Sequence, residues 1–387
     1  MTVFRCSTGL QACLRAVRCG AGLQACLGLV VAACAAVALD AHKPVTSKYT
    51  FSEDVAPILK EQCGGCHVAG GIAPMSLMTY EDARPWAESI RLELTSGHMP
   101  PWYGDPGVAP LRDVHKLSPR ELDVVLTWVT GGTPPGPSTR LVEPRSGQAR
   151  AVVQRGWSRG RPDLVLPLPA PVSLPAGTGE ATREFVLRDS NDRDRTIAFA
   201  DLLPGNPAIV HDAIVFTRKA AEEPSTVVTA WRPGIAPVTP AGLGFLWKAG
   251  EQLVVRIHYK KNWKLENKPA SDRSAVGLYL ARSQASRPIR GIALEVNRPL
   301  TVNEHLEGVA VRSSTTSVSD LRVTLNAVRP DGSRVTVAGF TTRAGWDQRY
   351  WLAKPVDLPK GTKLEAEMGS EPFPAIHLWV DAVPAPF

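Results

Sequence analysis

The sequence predicts a multidomain α plus all-β chain, a small helical domain followed by two tandem antiparallel β-sandwiches, on three observations. Apolar residues recur at helical spacing only before residue 131, around a single Cys63-Gly64-Gly65-Cys66-His67 cluster. The stretch GGTPPGPSTRLVEPRSGQARAVVQR (131–155) has no periodicity and reads as a break. Beyond it, short runs alternate apolar and polar residues, and 34 prolines and 32 glycines along the chain supply turns. With 387 residues, 44% apolar and 21% charged, the chain is long enough for several cores and too apolar for disorder. The expected divisions are a leader segment at 1–41, a helical domain at 42–136, a linker at 137–155, and sandwiches at 156–284 and 285–387.

In order along the chain, Arg5, Arg15 and Arg18 precede the apolar run LGLVVAACAAVAL (27–39), which is short for a membrane span and reads as a secretory signal. Small residues ending at Ala38 and Ala41 offer cleavage sites, so an exported, periplasmic chain is expected to begin near Leu39 or His42. Val31-Ala32-Ala33-Cys34 offers a second course, lipidation of Cys34, which would tether the protein to a membrane. Five of the seven cysteines lie in this segment, leaving Cys63 and Cys66 and no disulfide framework. Removing its three arginines and Asp40 from the formal +7 leaves about +5 without a basic cluster, so nucleic acid has no footprint here.

Cys63-x-x-Cys66-His67 is the attachment spacing of a c-type haem. Positions i, i+3 and i+4 share a helical face, so both thiols can meet the vinyl groups of one porphyrin while the imidazole meets its iron. A thioredoxin-like pair would need a preceding strand, but DVAPILKEQ (54–62) reads as a helix starting near Asp54, with Pro57 in its first turn. A structural zinc would need a second pair of thiols, and a disulfide between such close neighbours would stabilise almost nothing.

Around the cluster, Gly70-Gly71-Ile72-Ala73-Pro74 is a loop able to cover a porphyrin face. Thr79 and Ser118 open capped helices, the first carrying Trp86, Ile90 and Leu94 on one face, the second turning Leu122, Val125, Leu126 and Val129 inward. Gly131-Gly132 ends the second. A thioether is the usual partner of His in electron-transfer haems. Met75, Met78, Met99 and Met368 are available, and Met99 is preferred because Pro100-Pro101-Trp102 stiffens its segment. His98 and His115 are the alternatives, and Trp102 and Tyr103 are candidate propionate donors.

The segments DVAPILKEQCGGCH (54–67), GGIAPMSLMTYEDARPWA (70–87) and MPPWYGDP (99–106) resemble the haem domain of a bacterial exported cytochrome family in which that domain precedes a copper-monooxygenase-like β domain. The resemblance implies one haem c held by Cys63, Cys66 and His67, with Met99 as the distal iron ligand. It also implies electron exchange with a redox partner protein in the periplasm.

Strands are expected where Leu253, Val255, Ile257 and Tyr259 alternate with Val254, Arg256, His258 and Lys260, and where Leu321, Val323, Leu325 and Ala327 alternate with polar neighbours. Pro330-Asp331-Gly332 then turns the chain into RVTVAGF (334–340). PGNPAIVHDAIVF (204–216), AGEQLVVRIHYKKN (249–262) and VNEHLEG (302–308) resemble ligand segments of the peptidylglycine-type copper monooxygenases. His211, His258 and His305 match ligand positions, but Asp212 and Asn303 stand where histidines are expected. Arg256 and Lys260 flank His258 on its strand face, and the set is too thin for copper dioxygen chemistry, so a scaffold that has lost its metals is expected. The rival expectation is a copper-dependent monooxygenase fed by its own haem.

Overall fold

The structure is a computed structural model that describes residues 46–137 and 156–386, apart from 189, 221–225, 283–286, 297, 316–318 and 369–375. The expected leader segment with Cys34, and residues 138–155 of the expected linker, lie outside the described residues.

Helical structure is confined to the first part. A π-helical turn at Phe51–Val55 runs into α1 (Ala56–Gln62), so winding begins three residues before the expected Asp54, with Pro57 in the first turn of α1. Next come α2 (Tyr80–Ala83), a 3-10 turn at Arg84–Trp86 and α3 (Ala87–Thr95). Pro85 has no N–H to give, and the helix expected to run through Trp86 is accordingly broken there. At α4 (Pro119–Thr130) the capping box forms in full: Glu121 N donates to Ser118 Oγ at 3.2 Å, and Ser118 N donates to Glu121 Oε2 at 2.7 Å.

The buried face of α4 differs from expectation. Val124, Val125 and Trp128 are buried, whereas Leu122, Leu126 and Val129 sit at the margin. Trp128 sets this rotation, because its indole donates to Pro134 O at 3.1 Å and its ring packs 5.8 Å from Phe51. The residues after α4 fold back on the unit, with Phe51 N bonded to Pro134 O and Ser52 N to Pro135 O. Gly131 is required here, since a Cβ would lie 2.4 Å from Ser47 N.

The rest is a β-rich body. Its strands are β1 (Leu164–Pro167), β2 (Val172–Leu174), β3 (Glu180–Arg188), β4 (Arg195–Leu203), β5 (Val210–Arg218), β6 (Thr226–Trp231), β7 (Leu243–Trp247), β8 (Gln252–Lys260), β9 (Ala270–Asp272) and β10 (Ala275–Leu280). Then follow β11 (Arg287–Leu294), β12 (Leu300–Thr301), β13 (Leu306–Ser314), β14 (Arg322–Val328), β15 (Arg334–Thr341), β16 (Gln348–Leu358), β17 (Lys363–Met368) and β18 (His377–Pro384). Burial in β8 and β14 follows the alternation read from the sequence except at Val254 and Asn326, which are buried although expected on the other face, and β14 pairs with β15 across the turn at Pro330-Asp331-Gly332, where Gly332 takes φ +83°.

Four sheets form among the described residues. The largest has the order β1-β10-β4-β7-β11-β18-β13-β16, the others β3-β8-β5-β6, β12-β17-β14-β15 and β2-β9. One core is filled from the β4, β7, β10 side and the β5, β6, β8 side together; a second is filled from β11, β13, β16, β18 and from β14, β15, β17. The halves are not merely in tandem. β7 and β11 pair in parallel, Leu243 opposite Arg287 and Phe245 opposite Ile289, so one sheet runs through both.

A buried ionic cluster also crosses between the halves. Asp381, 1% exposed, accepts from Arg312 Nε at 3.0 Å and Arg349 Nε at 2.6 Å, while Arg349 Nη1 and Nη2 donate to the carbonyls of Val228 and Val227 in β6.

Candidate functional site

Cys63 caps α1, and one further helical turn follows: Cys66 N and His67 N both donate to Cys63 O, at 3.1 and 2.9 Å. All three residues therefore face one way, into a cavity of about 570 Å³, a size suited to a large organic cofactor. The helical unit lines it with Leu59, Ile72, Ile90 and Leu94, and the β body with Arg232, Ile235 and Trp346. Trp86, Ile90 and Leu94, the face read from the sequence, all reach the cavity.

The two units meet at the Cys63–His67 turn itself. A Cβ on Gly65 would lie 2.5 Å from the Cα of Gly234, and one on Gly234 would lie 2.4 Å from the Cα of Gly65. Gly65 thus permits backbone to pack on backbone.

The donor chemistry fits a thioether-linked haem. Burial pushes the Cys63 thiol up to about 12 with Cys66 adding to the rise, and pushes Cys66 up to about 11 with Arg232 pulling the other way. Thiols so buried are poor nucleophiles for disulfide exchange, and no other cysteine among the described residues joins them to complete a structural zinc site. Burial lowers the pKa of His67, partly offset by the Met75 carbonyl 3.3 Å from Nδ1. A carbonyl only accepts, so Nδ1 carries the hydrogen and the Nε2 lone pair is available to a metal.

Met99 and Met75 both line the cavity; Met99 is 40% exposed at the rim. Met78 packs into the helical core and Met368 against the second body core. His115 lines the cavity, whereas His98 lies at the surface beside Glu93 at 3.3 Å. Trp102 and Tyr103 do not line it. Trp102 is buried in the second body core with its ring 5.2 Å from Tyr350, and Tyr103 meets Trp346 edge-on at 5.2 Å. Their large apolar rings serve to fasten the Met99 segment to the body, which displaces the propionate role expected for them.

The body brings His211, Asp212 and His258 together, with one ligand atom from each lying within 4.8 Å of the others. The pairing of β5 with β8 places Asp212 opposite His258. Asp212 Oδ2 lies 2.7 Å from His211 Nδ1, 2.8 Å from His258 Nδ1 and 3.5 Å from Arg232 Nη1. Burial alone would raise the Asp212 carboxyl, but Arg232 and the two imidazoles outweigh it and hold it well below the usual carboxylate range. The flanking Arg256 is engaged by Glu184 at 3.1 Å. His305 is not part of this cluster; its Nε2 meets Asp357 at 2.6 Å on the surface.

His258 has its pKa raised, chiefly by the Asp212 hydrogen bond, with Glu180 Oε1 2.6 Å from Nε2 assisting. A raised folded-state value means that its stabilising contribution is complete below about pH 6.5 and fades as pH rises through the folded value. The expected result is a fall in the urea midpoint of the wild type over that window which His258→Gln lacks. An equal fall in both proteins would contradict the assignment.

Sequence reasoning missed Arg232, Trp346 and the Gly234 contact. Arg232-Pro233-Gly234 is legible as a turn, but nothing local pairs it with a loop 167 residues earlier.

No family model matches the chain. No curated protein matches it either. Among solved structures, a chain of the Sulfolobus turreted icosahedral virus is similar at 11% identity, covering 60% of this chain and 98% of that one, with a TM-score of 0.15. The tandem CBM22-1-CBM22-2 domain from Paenibacillus barcinonensis Xyn10C is similar at 9% identity, covering 59% and 100%, with a TM-score of 0.16. Scores this low carry no argument about fold or function.

Proposed function

We propose that the protein is an exported c-type cytochrome that passes single electrons through one haem held by Cys63, Cys66, His67 and Met99. In this reading the β body is a pair of tandem sandwiches that presents the docking surface for a periplasmic redox partner. The observation that carries it is the convergence of two thiols, an imidazole whose Nδ1 faces a carbonyl and a thioether-bearing residue on one largely apolar cavity. Haem would supply a one-electron iron couple there. The thiols anchor it, the Met75 carbonyl fixes the plane and tautomer of His67, and the apolar wall keeps water from the metal.

The test is a visible spectrum of reduced protein matured in a host with haem-attachment machinery, with iron and copper assayed on the same sample. One thioether-linked haem and one iron per chain are expected, without stoichiometric copper. Colourless protein would sink the proposal.

The His211, Asp212 and His258 cluster favours a second reading, a copper-dependent monooxygenase receiving electrons from its fused haem. Against it stands Arg232, a buried cation 3.5 Å from the carboxylate a metal would need. Stoichiometric copper together with substrate hydroxylation would select that reading instead. Intact mass decides whether Cys34 carries lipid and hence whether the protein is membrane-anchored.

A further inference from the structure

Arg232 lines the cavity and is 4% exposed, yet its Nε and Nη1 form no hydrogen bond within the protein. Its guanidinium is nevertheless fixed, stacked 3.3 Å over the Trp346 ring, with Nη2 donating to Asp347 O at 3.3 Å. The nearest carboxylate does not satisfy it. Asp212 Oδ2 is 3.5 Å from Nη1 and already shared by His211 and His258. Asp347 meets it only through its backbone carbonyl, while burial raises the pKa of its carboxyl. Asp212 balances the charge at this distance, but two buried N–H donors left without a hydrogen bond are costly unless a further acceptor reaches them.

The cavity indicates which acceptor. Its arginine and lysines, Arg232, Lys260 and Lys261, all come from the β body, and the Lys261 ammonium is spent on the carbonyls of Leu174, Pro175 and Lys268. The helical wall is mostly apolar, with Glu61 and Glu93 at its edges. Arg232 also faces the attachment loop: it lowers the acidity threshold of the Cys66 thiol, and Cys66 Sγ lies 3.8 Å from Pro233 O. An occupant with a flat apolar body, fixed near Cys66 and carrying carboxylates, matches this distribution.

We propose that Arg232, stacked on Trp346, is a carboxylate anchor that binds a propionate of the haem held by Cys63, Cys66 and His67. The inference rests on the haem reading above and extends it: the β body supplies part of the haem site, and haem attachment completes the junction between the two units. A planar guanidinium suits a carboxylate in two-point contact, which a lysine cannot reproduce.

The experiment compares wild-type, Arg232→Gln and Arg232→Lys holoproteins by the propionate bending band in resonance Raman spectra and by the equilibrium constant for reduction against a fixed mediator. In the wild type the band should sit at its hydrogen-bonded position. In Arg232→Gln it should move to the solvated position, and reduction should become roughly tenfold less favourable, because the cation that favours the added electron is gone. Arg232→Lys should restore the equilibrium more than the band. An unchanged band and equilibrium in Arg232→Gln overturn the proposal, as does a solvated band in the wild type, which needs no variant to fold. Added benzoate supplies the remaining arm: a saturable spectral shift in the wild type that Arg232→Gln lacks would assign the anchor to a free carboxylate and overturn the haem assignment. Wild type lacking haem would sink the parent reading, an outcome distinct from all of these.

Discussion

Protein carrying Cys63→Ala together with Cys66→Ala is expected to emerge without covalently bound haem, losing essentially all visible absorbance after acid-acetone extraction, while the β body keeps its structure. The two thiols are the only described cysteines, and they face one cavity together with His67. Met99→Ala separates anchoring from ligation. It should keep the thioether-linked haem but lose the low-spin spectrum and lower the reduction potential, since thioether sulfur favours reduced iron. Met75 lines the same cavity, so Met75→Ala is the matched control and should leave the iron spectrum low-spin. Low-spin Met99→Ala with high-spin Met75→Ala would reverse the assignment, and extractable pigment in the wild type would remove it.

Asp381→Ala should destabilise the body by about 3–5 kcal/mol, the range for breaking a buried ion pair and stranding its partner. Two arginines would be stranded here. Arg312 and Arg349 both depend on this carboxylate, and Arg349 also holds the β6 carbonyls of Val227 and Val228. Burial already pulls the Arg349 pKa down, and Asp381 is the main force restoring it. Asp381→Asn, which keeps the shape and one acceptor, should lose less. Urea unfolding followed by tryptophan fluorescence provides the measurement; a loss under about 1 kcal/mol, the scale of exposed pairs, would show that the cluster is not holding the halves together.

Much of the local structure was legible because short-range rules govern it. Ser118 with Glu121, and Gly332, each act within one turn of chain, and each element formed where those residues demanded. The turn carrying Cys63, Cys66 and His67 was legible for the same reason, since the three share a face by helical geometry alone. The rotation of α4 was not, because Trp128 is drawn inward by Pro134 and Phe51. Trp102 and Tyr103 read as cavity residues from their neighbour Met99, but the aromatic surface offered by Tyr350 and Trp346 lies about 240 positions later. Arg232 was hidden for a like reason, since its chemistry appears only when two units close around one space.

The parallel alignment of β7 beside β11 bears on how this polypeptide could be divided. Cutting the chain near residue 284 would strip two interior strands of their neighbour and leave each fragment with a raw hydrogen-bonding edge. Fragments so made are expected to self-associate rather than persist as independent modules, and work on the body in isolation should keep residues 156–387 whole.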